Sequence, residues 1–341
     1  MNKGLVAVSG GVDSTAALLA FYEQGISADA VIMQLDKLDD LAVSDARSAC
    51  EKLGSELIVL DCRDEFKKLV IDKFIEEYKR TRTPNPCIFC NNSLKFGLLA
   101  DFAKEKGYDF LATGHYVRIE CDGGKYYLKK ARDLKKDQSY VLYGIRKELL
   151  PYLRFPMGDT TKEEARISLA ENGFVNADKK DSQDICFIPD GKYASFIENY
   201  TGESFECGDF VDLSGKRLGE HKGLIRYTIG QRKGLGLALE RPMYVCRLDS
   251  KNNSVILGYE DDLMSNRLSA ENVNWLVDDI TDGMRVMAKA RYAMKESPAK
   301  VFLTGIGQIE VEFDEPQRAI TSGQSVVLYD GDIVLGGGVI E

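Results

Sequence analysis

The chain has 341 residues, 44% of them hydrophobic and 29% charged, with a formal net charge of −9. That is long enough for two or three domains with buried cores, and it excludes a disordered or fibrous protein. The acidic balance excludes a general nucleic-acid coat, the lack of a long apolar run excludes a membrane-spanning helix, and eight cysteines over this length do not make a disulfide scaffold.

Met1-Asn2-Lys3 runs straight into the first predicted strand without a signal-peptide pattern, so a soluble, cytoplasmic protein with no membrane partner is expected. Leu5 to Val8 reads as a strand and Thr15 to Gln24 as a helix, with Ser9-Gly10-Gly11-Val12-Asp13-Ser14 between them. Paired glycines let the backbone approach a ligand, and the following helix aims free N–H groups at the same spot. Asp13 adds a carboxylate suited to a magnesium ion that carries phosphate oxygens. The loop reads as a phosphate cradle. It is neither a G-x-x-x-x-G-K-[ST] loop nor a G-x-G-x-x-G fingerprint.

Ala30 to Leu35 is the next predicted strand, followed by a helix over Leu41–Leu53 that Gly54 stops. Glu56–Leu60 reads as strand, Glu65–Lys79 as helix, Ser93–Lys106 as helix and Asp109–Ala112 as strand. This alternation predicts βαβ units: an α/β, doubly wound, mainly parallel sheet. Arg82-Thr83-Pro84-Asn85-Pro86 predicts a rigid loop ending in the C-x-x-C of Cys87 and Cys90, just ahead of a helix whose dipole favours thiolate. Thr113-Gly114-His115-Tyr116 closes a strand, where doubly wound sheets place function.

Thr161 to Asn172 is a capped helix, with Glu164 placed for a capping box and Gly173 after it. Beyond residue 200 the rhythm changes to short, glycine-punctuated runs, and from about 268 alternating strands such as Met284–Ala290, Ile309–Phe313 and Ser325–Tyr329 predict a small β-barrel. The expected division is 1–200, 201–268 and 269–341. Two stretches are locally basic: 125–136 holds six Lys or Arg against one Asp, and 285–300 holds five against one Glu. Both become phosphate contacts if the ligand is a polyanion.

The motifs in order carry a resemblance. S-G-G-V-D-S at 9–14 looks like the pyrophosphate-binding loop of the ATP pyrophosphatases. With R-T-P-N-P at 82–86, T-G-H-Y at 113–116, K-D-Q-S-Y at 136–140, D-S-Q-D-I-C-F-I at 181–188, Y-T-I-G-Q-R-K-G-L-G at 227–236 and L-G-G-G at 335–338, the chain resembles the tRNA-specific 2-thiouridylases. Those enzymes replace the C2 oxygen of the wobble uridine by sulfur. The resemblance implies an adenylating α/β domain, a small middle domain and a C-terminal β-barrel. It implies that Ala7, Val8, Ser9, Gly10, Gly11, Val12, Asp13, Ser14, Met33 and Gly114 hold ATP with Mg2+, and that Asn85, Pro86 and Cys87 meet the target base. Cys90 is implied as the persulfide-bearing nucleophile and Cys186 as its partner, with Asp13 also catalytic. His115, Lys136, Asp137, Gln138, Arg291, Tyr292 and Gln324 are implied to touch tRNA. A persulfide sulfur-carrier protein is the implied donor.

Position 87 departs from the family pattern, where aspartate is common. With cysteine there, Cys87, Cys90 and Cys186 are also candidate ligands of an iron–sulfur cluster with an open iron, beside the persulfide route. Gln34 to Ala42 is short for the family and predicts a trimmed loop by the ATP site. Cys50, Cys62, Cys121, Cys207 and Cys246 are expected to be buried small hydrophobes. Two other readings compete: an ATP pyrophosphatase with a small-molecule substrate, and a non-catalytic tRNA-binding or iron–sulfur scaffold.

Overall fold

The computed structural model describes residues 3–35, 40–174, 177, 179 and 185–341. The expected trimmed loop therefore lies partly outside the described residues, as do Asp181 to Asp184 of the motif before Cys186.

The first sheet is built from five strands, β1 (Lys3–Ala7), β2 (Ser27–Gln34), β3 (Leu57–Asp61), β4 (Phe110–Thr113) and β7 (Leu153–Arg154), in the order β3-β2-β1-β4-β7. Every pairing is parallel. Leu5, Val6, Ala30, Val31, Leu111 and Ala112 are fully buried, because helices cover both faces of the sheet. Those helices are α1 (Val12–Glu23), α2 (Asp40–Leu53), α3 (Arg63–Phe66, Lys67–Ile71 and Asp72–Lys79 as one rod), α4 (Pro86–Phe89, Cys90–Leu98 and Leu99–Glu105 as one rod) and α5 (Lys162–Glu171). Strand order reverses between β1 and β4. The crevice beyond their carboxyl ends is where such sheets bind ligands.

Two boundaries differ from expectation. α1 opens at Val12, inside the glycine loop, since extended Gly11 serves as its N-cap. α4 opens at Pro86, seven residues ahead of the predicted start, so the C-x-x-C lies within the first turns of the helix. The cause is local: Asn85 caps with Oδ1 accepting from the Cys87 N–H at 3.1 Å, and proline suits the first helical position. Prolines that seemed to forbid regular structure start a helix instead. α5 forms as predicted, with the Thr161–Glu164 capping box complete.

The stretch 117–150 folds as a hairpin, β5 (Val117–Asp122) and β6 (Lys125–Lys130), then short 3-10 turns. Past α6 (Tyr193–Thr201), the strands β8 (Gly208–Asp212), β9 (Arg217–His221), β10 (Tyr244–Asp249) and β11 (Ser254–Gly258) make a four-stranded sheet in the order β10-β11-β8-β9. His221 is buried there, Nε2 3.0 Å from the Asn253 carbonyl, and its ring packs against Phe210 and Tyr227. The remaining strands are β12 (Met264–Trp275), β13 (Met284–Lys289), β14 (Ser297–Gly305), β15 (Gln308–Arg318), β16 (Ser325–Asp330) and β17 (Ile333–Ile340). β12 pairs with both β15 and β17, which closes a six-stranded barrel with its own apolar core. The hairpin β5–β6 extends that sheet through Ile333 and Lys129.

Cys50 and Cys62 are buried as expected, but Cys121 and Cys207 are exposed, because one sits by the Gly123-Gly124 turn and the other just before β8. No helix among the described residues is long and apolar enough to cross a membrane.

Candidate active site

The glycine loop is a tight nest. The Ser9 N–H donates to Ser14 Oγ at 3.0 Å, the two serine hydroxyls are 3.2 Å apart, and Thr15 Oγ1 donates to the Gly11 carbonyl at 2.9 Å. Gly10 has φ +67, and a Cβ there would sit 2.7 Å from the Ala42 carbonyl oxygen. Gly114, at the end of β4, presses on the loop from the other side: a Cβ would lie 2.6 Å from the Asp13 carbonyl carbon and oxygen. The predicted cradle residues Ala7 to Ser14 and Gly114 thus come together at the switch point. Met33 lies at the end of neighbouring β2, packed among core residues.

Three cations or donors at this end escaped sequence reasoning. Lys162 donates to Asp13 Oδ1 at 2.7 Å, Tyr116 OH donates to the same oxygen at 2.7 Å, and Lys179 reaches the Gly10 carbonyl at 3.2 Å and Asp45 at 2.8 Å. Lys162 had one legible signal. It is the first residue of α5, where the helix dipole disfavours a cation, so an outside partner was implied. The Asp13 carboxylate with phosphate oxygens is a donor set of the kind magnesium accepts.

The thiols lie on the far side of His115. Cys90 is half-buried, and Cys87 and Cys186 are exposed. Crowding by protein pushes all three thiols up, Cys186 to about 11, while the Lys95 ammonium pulls each one down. The expectation of thiolate favoured by the helix terminus is therefore corrected: desolvation is the larger effect, and Lys95 is the counterweight. Lys95 falls next to Cys90 because residues 90–98 are wound with i→i+5 bonds. In an ordinary α-helix five residues turn roughly 500°, which would carry Lys95 well off the Cys90 face.

His115 orients Lys95. Its Nδ1 lies 2.7 Å from Thr113 Oγ1 and its Nε2 3.4 Å from Lys95 Nζ, with Phe96 and Phe155 against the ring. Burial, then Lys95, holds the imidazole well below its usual range, so it stays neutral. A neutral ring facing an ammonium must accept at Nε2 and carry its proton on Nδ1.

Other residues expected to touch tRNA hold loops together. Asp137 accepts from the Ala131 N–H at 2.9 Å and Ser139 Oγ at 2.6 Å, and Gln138 Oε1 accepts from the Tyr116 N–H at 2.9 Å. Arg291 donates to the Ile229 carbonyl at 3.0 Å and to Thr321 Oγ1, which ties the 227–236 loop to the barrel. Gln324 donates to the Thr83 carbonyl at 2.7 Å, the Thr83 N–H donates to the Ser322 carbonyl at 2.9 Å, and Arg82 bonds Glu271 at 2.9 Å. The barrel therefore clamps the Arg82–Pro86 loop. Tyr292 is 45% exposed, with Asp137, Cys87 and Lys136 as its electrostatic neighbours.

Among the described residues no three His, Cys, Asp or Glu side chains converge as metal ligands do. The Cys87 and Cys90 thiols lie near enough to Cys186 to push its thiol up electrostatically, after burial.

Family models match three stretches: a tRNA methyl transferase HUP domain over residues 2–190, a tRNA methyl transferase PRC-barrel domain over 194–259 and an aminomethyltransferase β-barrel domain over 265–340. A tRNA-specific 2-thiouridylase of Acetivibrio thermocellus is 46% identical over 356 residues, covering 100% of this chain and 99% of that protein. The chain belongs to the tRNA-specific 2-thiouridylase family. A member from Clostridioides difficile is 45% identical with the same coverage. Among solved structures, a U34-tRNA thiolase from Methanococcus maripaludis with its [4Fe-4S] cluster is 18% identical at a TM-score of 0.37, covering 59% of this chain and 68% of that one. In this family member Thr113 to His115 stand between the cradle and the thiols, with Gly114 packed on Asp13 and His115 Nε2 3.4 Å from Lys95 Nζ.

Proposed function

We propose that the protein is a tRNA-uridine 2-sulfurtransferase that adenylates the wobble-uridine C2 oxygen with ATP and then installs sulfur from a persulfide on Cys90. The observation that carries this reading is the two-sided role of Thr113-Gly114-His115. Gly114 packs onto the phosphate loop while His115 holds the lysine beside the thiols. Adenylation and sulfur transfer need such a common edge, since one uridine must meet the ATP α-phosphate and a sulfur nucleophile in turn.

The loop N–H groups and the α1 terminus would hold the phosphates, with Lys162, Lys179 and Asp13 around them. Magnesium bound at Asp13 would neutralise phosphate charge. The uridine leaves its stack to enter the crevice, and the rigid Asn85-Pro86 turn beside Cys87 suits the wall of its pocket. Attack of the C2 oxygen on the α-phosphate expels pyrophosphate. The terminal sulfur of the Cys90 persulfide then attacks C2 and AMP leaves. Attack by Cys186 on Cys90 Sγ closes a disulfide and leaves the second sulfur on the base. A thiol-lined crevice favours sulfur transfer over the methyl transfer in the family model's description.

Lys136 and Tyr292 are the tRNA contacts this reading keeps at the mouth, with the basic runs at 125–136 and 285–300 along the phosphates. His115, Asp137, Gln138, Arg291 and Gln324 shape that surface from behind. A persulfide carrier supplies the sulfur, the setting is cytoplasmic, and the working parts are 1–200, 201–268 and 269–341.

The test is nucleoside mass spectrometry of unmodified tRNA after incubation with protein, ATP, magnesium and a persulfide donor, with Cys90→Ser alongside. An oxygen-to-sulfur shift on the wobble uridine that vanishes in the variant is expected. Absence of both the shift and pyrophosphate release would overturn the reading.

A further inference from the structure

We infer that Cys87 is a second resolving thiol, able to discharge a persulfide on Cys90 without Cys186. The inference rests on the persulfide reading of Cys90 above.

Cys87 and Cys90 stand three residues apart at the start of α4, which puts them on one face with Cβ atoms about 5–6 Å apart. A disulfide brings Cβ atoms to about 3.5–4.5 Å, so closure needs a shift of about 1–2 Å in the first helical turn, and C-x-x-C pairs at a helix start are ones that close. The turn that carries Cys87 is fixed by the Asn85 cap and by Pro86 at the first helical position. Cys87 is exposed, so a donor and a reductant reach it, while Cys90 sits half-buried beside it. The Lys95 ammonium faces both sulfurs and favours the thiolate that attacks. Cys186, by contrast, comes from a segment almost a hundred residues further along the chain.

The step balances. Cys87 loses its proton to water and its thiolate attacks Cys90 Sγ. The bond between Cys90 Sγ and the outer sulfur breaks, and the electron pair leaves on hydrosulfide. The Cys87 sulfur is oxidised from the thiol to the disulfide level, the outer sulfur is reduced to hydrosulfide, and Cys90 Sγ keeps its oxidation level. A dithiol reductant reopens the bridge. The crevice thus generates hydrosulfide locally as an alternative to direct persulfide attack.

The test uses the full, iron-free chain with glutathione persulfide as donor, without ATP or tRNA. Released hydrosulfide is read with a sulfide electrode, and peptide mass reports the state of residues 83–95. Cys186→Ser is expected to release hydrosulfide and to show that peptide lighter by two hydrogens. Cys87→Ser/Cys186→Ser is expected to release none and to keep one extra sulfur on Cys90. If Cys186→Ser holds its persulfide as long as the double variant, Cys87 does not resolve it and the inference falls. If no variant gains sulfur on Cys90, the inference falls together with the persulfide reading. Formation of 2-thiouridine by the same samples, given ATP and tRNA, then reports whether the enzymatic function stands by itself.

Discussion

Lys162 Nζ and Tyr116 OH both donate to one oxygen of Asp13, each at 2.7 Å. The pair fixes the only carboxylate of the glycine loop from two directions, one from the end of β4 and one from the start of α5. Lys162→Met removes a charged partner from a largely buried contact. We expect a loss of about 1.5–3 kcal/mol in stability by urea unfolding. The KM for ATP in pyrophosphate release should rise. An unchanged KM would mean that Lys162 only braces α5.

Gly114→Ala drives a methyl group into the Asp13–Ser14 backbone, where it would sit 2.6 Å from the Asp13 carbonyl. Relief by backbone shift costs about 1–3 kcal/mol. Because the shift deforms the cradle itself, ATP binding measured by calorimetry should be lost at temperatures where the variant remains folded.

His115 is held neutral by burial and by Lys95. Its folded value lies below its unfolded value, so at pH above the unfolded value near 6.5 it has no effect on stability. As pH falls below that, the unfolded chain takes a proton that the folded chain refuses, and stability drops by at most about 1.4 kcal/mol per pH unit. His115→Asn should flatten this slope between pH 6.5 and 5, leaving the part due to His221, whose value burial also lowers. Urea midpoints across that range check it.

Arg82 links the loop before α4 to the barrel through Glu271 and the Ile340 carbonyl, and forms an ion pair with Glu77 within its own domain. Arg82→Ala should leave ATP binding intact, since the glycine loop is elsewhere. It should release the Asn85–Cys90 segment, seen as faster hydrogen exchange there, and lower thiolation more than pyrophosphate release.

Much of this was legible in the chain. Alternation of Leu5–Val8, Ala30–Leu35 and Asp109–Ala112 with helical runs marked a parallel sheet because strands buried on both faces are apolar throughout. The Thr161–Glu164 box was legible because its bonds are local. Lys95 was hidden: its place beside Cys90 depends on a change of helical winding, and no spacing rule for ordinary helices predicts it. Arg291 and Gln324 are assigned to tRNA contact by the family resemblance alone. Only the tertiary fold shows that Ile229, Thr321 and Thr83 take up their hydrogen bonds. The C-x-x-C was recognised, but its helical setting was obscured by prolines that cap as readily as they break.

The hairpin at 117–130 finds its partner strand only at residue 333. On a ribosome adding about 5–20 residues per second, that strand emerges on the order of ten to forty seconds later. Until then β6 has an open edge, and the loop that carries Cys87 has no barrel to seat against. A nascent or prematurely ended chain can thus complete its nucleotide cradle while the thiol-bearing turn is still unanchored. The seat of the thiol-bearing turn is thus supplied by the last part of the chain to be made.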